Sequence, residues 1–157
     1  MAKLTINEAA AGYTHKLAFD YVDLQRSGFL STLGAANQKQ VGSMAPGDII
    51  DQAAFYQVIN DGGSVTNLTL DFGTTGADPD ELIDNLDVDA MTQVSFNTGD
   101  AFVGTDSGTQ TTSNVINGYA NNTTSALPLY MEFNGTVSSL TAGSWVLAWR
   151  QLVVPTA

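Results

Sequence analysis

The chain has 157 residues, enough for one domain with a sizeable core. Apolar residues make up 43% of it and charged residues 13%, about half the usual charged share. Five Lys and Arg face sixteen Asp and Glu, for a net charge of −11. That balance excludes nucleic acid and anionic membrane as partners, because phosphate binding needs clustered cations.

A chain so poor in charge must build its surface from Thr, Ser, Asn, Gln and Gly. These residues suit sheet and loop better than helix. Cysteine is absent, which removes disulfides, thiolate zinc sites and cysteine nucleophiles. No apolar run is long enough for a signal peptide or a membrane-spanning helix, so synthesis in a cytoplasm is expected.

Taken in chain order, Lys16 to Val22 reads as a strand. From Asp23 to Gly47 no period holds, and the stretch reads as an extended arm or long loop, the kind of segment a partner often orders. Pro46-Gly47-Asp48 is a turn signal. Ile49 to Ile59 is an apolar-rich strand ending at the turn residues Asn60-Asp61-Gly62-Gly63, and Val65 to Phe72 alternates as a second strand.

Asp78 to Leu86 reads as one short helix. Asp78 is placed as N-cap, Pro79 at the first helical position and Glu81 as the partner in a capping box. Leu82, Ile83 and Leu86 then share a face. Val94 to Phe96 and Ala101 to Val103 are short strand candidates, followed by a polar loop from Gly104 to Ser113. Leu127 to Phe133 and Trp145 to Val154 are the strongest strands. Strands of this size separated by turn signals indicate an antiparallel sandwich or barrel.

Little in the chain points to catalysis. His15 is the single histidine, and no nucleophile elbow, Walker loop or dinucleotide fingerprint is present. No enzymatic activity and no cofactor are expected. Seven carboxylates fall between Asp71 and Asp89. Asp78, Asp80 and Asp84 could contribute oxygen ligands to an irregular Ca²⁺ site, although no EF-hand spacing is present. The plainer reading is a solvated helix start, with the acids favoured by the helix dipole. Trp145 and Trp149 share one strand face, which suits core packing better than a sugar-binding platform.

Three segments together resemble small virion structural proteins of tailed bacteriophages. They are Thr66-Asn67-Leu68-Thr69-Leu70-Asp71-Phe72-Gly73, then Asp78-Pro79-Asp80-Glu81-Leu82-Ile83-Asp84 with Val88-Asp89-Ala90, and the closing turn Leu140-Thr141-Ala142-Gly143 before the last strand. The resemblance covers about residues 48–154. It departs from the pattern at Glu81-Leu82, where a Gly-Phe pair is usual, and in the long N-terminal arm.

The resemblance implies an all-β, antiparallel β-sandwich of jelly-roll type that decorates or cements a capsid, or belongs to a tail or head fibre. The single domain then divides into residues 1–47, an N-terminal strand and arm, and residues 48–157, the β-sandwich core. The expected partners are the major capsid protein or other virion proteins, on the outer capsid surface. The chain is expected to form a homo-oligomer, with a trimer as the working number. The arm would latch onto a neighbouring subunit through Phe29, Leu30 and Leu33. A carbohydrate-binding sandwich is the alternative from another class, and a glycosidase a more distant one.

Overall fold

The computed structural model describes residues 12–33, 36–65, 68–88 and 119–153. They are mostly β. Nine strands run in chain order: β1 (His15–Asp20), β2 (Ser31–Leu33), β3 (Ala36–Met44), β4 (Ile49–Gly63), β5 (Thr69–Gly73), β6 (Ile83–Asp87), β7 (Tyr119–Ala120), β8 (Leu127–Asn134) and β9 (Leu140–Leu152). They form two antiparallel sheets, ordered β1-β9-β4-β7 and β2-β3-β8-β5-β6.

The inner faces of the two sheets meet in one aromatic core. Phe133 of β8 packs edge-on against Phe19 of β1, with centroids 5.7 Å apart, and lies 5.4 Å from Trp145 of β9. Phe72 of β5 lies 5.4 Å from Trp149 of β9. Strand alternation supplies these contacts, because Trp145, Leu147 and Trp149 fall on one face of β9. Each indole is also satisfied: Trp145 Nε1 donates to Gln57 Oε1 at 3.0 Å, and Trp149 Nε1 to Gln151 Oε1 at 3.3 Å.

The turn expected at Pro46-Gly47-Asp48 forms, and it spans Ala45 to Asp48. Asp48 N donates to Ala45 O, the Asp48 side chain accepts from Ala45 N, and Gly47 takes a positive φ of 88°. The strands expected at 49–59 and 127–133 are present, and the first extends further, to Gly63. The one expected at 145–154 begins earlier, at Leu140, and ends at Leu152, and the one expected at 65–72 is found from Thr69 to Gly73.

Several expectations are corrected. Residues 23–47 are no extended arm. They contain the end of a short helix, α1 (Tyr21–Gln25), then β2 and β3, and β3 lies inside the larger sheet between β2 and β8. Asp20 caps α1 by accepting from Asp23 N, while the Asp23 side chain accepts from Asp20 N. Leu24 and Met44 are core residues, so this segment cannot be removed without opening the interior.

The helix expected at 78–86 is absent. Glu81 turns back to accept from Thr74 N at 2.6 Å and from the hydroxyls of Thr74 and Thr75, closing the 74–81 loop. Leu82 N then donates to Phe72 O, and Ile83–Asp87 pairs with β5 as an edge strand. Asn60–Gly63 does not turn the chain into a hairpin: β4 and β5 lie in different sheets. Leu140–Gly143 is likewise the irregular start of β9, paired with Gly62 and Gly63, rather than a turn. The strand candidates at 94–96 and 101–103 and the loop at 104–113 lie outside the described residues.

Candidate functional site

The chemistry-bearing residues fall in three places. His15 sits on the inner face of β1, directly opposite Trp149 on β9, and stacks on that indole at 5.1 Å and 9°. Its Nδ1 lies 2.8 Å from Thr14 Oγ1. Burial lowers its pKa, partly opposed by the charge of Asp48. An imidazole held flat on a core tryptophan is a packing group.

The acidic stretch is divided between two environments. Asp78 is exposed, and Asp80 and Asp84 are half-buried around the 74–82 loop and β6. Burial, then the charge of Asp78, raises the pKa of Asp80. Among the described residues no group of three or more acids and histidines is arranged to hold a metal. The structure thus does not bring Asp78, Asp80 and Asp84 together as a ligand set.

The more unusual feature involves Asp71, from the same stretch, and Glu132, a residue that sequence reading did not single out. Asp71 on β5 and Glu132 on β8 are register partners, with 4% and 6% of their surface exposed. Leu70 and Phe72 on β5, and Met131 and Phe133 on β8, point into the core, so the two carboxyls share the outer face of the larger sheet. Asp71 accepts from Asn85 N at 2.5 Å and from Asn134 Nδ2 at 3.0 Å. Glu132 accepts from Gln38 Nε2 at 2.6 Å.

Burial raises the pKa of Asp71 from 3.8 to about 6. The Asn85 backbone hydrogen bond opposes this, and the charges of Glu132, Asp84 and Asp78 add to it. The signal available in sequence was alternation: Asp71 and Glu132 each sit between two core residues. Their pairing is a matter of register and is invisible without the fold.

Phe29 and Leu30, expected at a subunit contact, are half-buried against the chain's own core. The Phe29 ring lies 6.1 Å from that of Phe19, and Lys39 Nζ sits 4.3 Å from its centroid. Leu33 lies in β2 opposite Ala36, and its side chain is outside the described ones. Trp145 and Trp149, 1% and 0% exposed, leave no tryptophan platform for a sugar ring.

Among the described residues, the large exposed apolar side chains fall in two groups. Leu152 ends β9 and Val153 follows it, while Val58 and Ile59 on β4 and Val22 on α1 lie towards the other end of the same sheet. Asp20 and Ile59 both align with Ser144 of β9, which places the start of α1 and the end of β4 two strands apart. No helix among the described residues is long and apolar enough to cross a membrane. No family model matches the chain, and no curated protein or solved structure matches it.

Proposed function

We propose that the chain is a virion structural protein, a capsid decoration or cement subunit that works through protein–protein contacts. The observation that carries this reading is the strand order. Among the described residues, apart from the extra edge strand β2, the sheets run first, eighth, third, sixth and second, seventh, fourth, fifth when the remaining eight strands are numbered in sequence. Folding one long antiparallel ribbon over itself gives this order, the double Greek key of a jelly-roll sandwich. Jelly rolls serve repeatedly as capsid and lectin domains.

Fold alone does not choose between those uses. The lectin-like use is disfavoured by the sealed tryptophans. The net charge of −11 suits the outside of a capsid, away from packaged DNA. Contact with the major capsid protein, and association as a homo-oligomer with a trimer as the working number, belong to the same proposal. Within it, the edge strand β2 with Phe29 and Leu30 beside it offers a neighbour a strand to pair with. A tail or head-fibre location is the runner-up.

Negative-stain imaging of purified virions labelled with an antibody to this chain tests the proposal. Label spread over the head is expected. Label confined to tail or fibres would favour the runner-up, and unlabelled particles together with specific binding on a glycan array would replace both.

A further inference from the structure

We propose that Asp71 and Glu132 form a proton-sensitive clasp between β5 and β8, tight when Asp71 is protonated and strained when both carboxyls are ionised. This device concerns the fold itself and does not depend on the virion reading.

The geometry argues for it first. The two acids are direct cross-strand partners, and each is more than nine-tenths buried. Like charges placed opposite each other on neighbouring strands destabilise the pair. Burial removes the water that would screen them. Every charged group facing Asp71 from the described elements packed around it is itself an acid: Glu132 on β8, Asp84 on β6 and Asp78 on the preceding loop. Lys39 does not answer them, because it pairs with Met131 on the other face and lies over Phe29.

The neutral donors that are present hold the clasp in register without cancelling its charge. Asn85 N and Asn134 Nδ2 occupy the two Asp71 oxygens, and Gln38 Nε2 occupies Glu132. Asn85 belongs to β6 and Asn134 to β8, so the position of Asp71 couples three strands. One added proton removes the repulsion and leaves these contacts in place.

The pKa of Asp71, raised to about 6 chiefly by burial, agrees with this geometry. The sign follows from linkage. The folded carboxyl holds its proton more tightly than the unfolded one. Its stabilising contribution is therefore complete below 3.8 and is lost as pH rises through about 6.

Two measurements on the full chain test the clasp. In the first, the Asp71 side-chain carboxyl carbon is followed by NMR from pH 3 to pH 8. A midpoint near 6 is expected, and Glu132→Gln should move it down, since Gln keeps the acceptor for Gln38 and removes the charge. A midpoint below about 4.5, or one that Glu132→Gln leaves in place, would overturn the proposal. In the second, melting temperatures of wild type and Asp71→Asn are compared at pH 4 and pH 7. The wild type should gain several degrees relative to the variant at pH 4, and a constant gap would count against the clasp. If Asp71→Asn fails to fold, the NMR titration of the Glu132→Gln protein decides alone.

Discussion

Asn121 shows how much one polar side chain can hold in this fold. It is fully buried, and its Nδ2 donates to Met44 O at 3.0 Å and to Ser125 O at 2.9 Å. Its Oδ1 accepts from Thr123 N and Thr123 Oγ1, and its backbone bonds to both Gly47 and Asp48. One amide thus ties the end of β3, the turn before β4 and the approach to β8. Asn121→Ala removes the side-chain partner of two carbonyls and should cost about 2–4 kcal/mol in denaturant unfolding. The exposed neighbour Asn122→Ala should change stability by less than about 0.5 kcal/mol. Equal effects at the two positions would mean that the amide network is not a keystone. His15 supplies a second test at this scale. Its folded pKa lies below 6.5, so its contribution is complete above 6.5 and is lost as pH falls from there through the lower folded value. His15→Asn should remove that slope, read as a smaller loss of melting temperature between pH 7 and pH 5.

At the scale of the element, β3 and β6 explain why part of the fold was hidden in the sequence. The strands around Phe55, Met131 and Trp149 announce themselves because both their faces are apolar or alternate cleanly. In β3 the pairing with β8 slips between Gln40 and Gly42, which breaks the period of two. Gly42 also carries no side chain to signal burial. A Cβ there would sit 3.3 Å from the Trp149 ring, so the tryptophan fills the space that an apolar residue would have advertised. In β6 the error has the opposite origin. Ile83 and Leu86 pair with Phe72 and Leu70, so residues three apart oppose residues two apart. The additional residue is taken up around Asn85, whose φ is +49°. A bulged strand thereby places apolar residues at a helical spacing. The capping signal at Asp78 was then outweighed by the tertiary clasp of Glu81 on Thr74 and Thr75. The true cap, Asp20 with Asp23, was legible but short. The Asp71–Glu132 pair was half legible: its acidic stretch was plain, and its partner strand was not. Because β3 lies inside the larger sheet, deleting residues 24–45 should abolish the fold. Dispersed amide resonances in that deletion variant would show β3 to be dispensable.

Across the whole molecule, the order in which the chain supplies its strands constrains how it folds. The last two described strands are both interior: β8 separates β3 from β5, and β9 separates β1 from β4. Neither sheet can close until the final stretch, 127–152, is in place. The pairings that complete them, such as His15 with Trp149 and Gln38 with Glu132, join residues far apart in the chain. Such non-local pairing costs loop-closure entropy before it returns contact energy, which places folding in the millisecond-to-second range. The chain carries its own probe of that event. Its two tryptophans, Trp145 and Trp149, both lie on β9 and are sealed in the core. Tryptophan fluorescence therefore reports insertion of the last strand, while far-UV circular dichroism reports total sheet. If β9 is required for either sheet to persist, the two signals should change together in refolding, with one rate constant and no early sheet phase. A chain ending at residue 126 should then show neither signature of a folded sheet. Sheet dichroism that forms well before the tryptophans are buried, or that survives in the truncated chain, would show that the remaining strands are stable without β8 and β9.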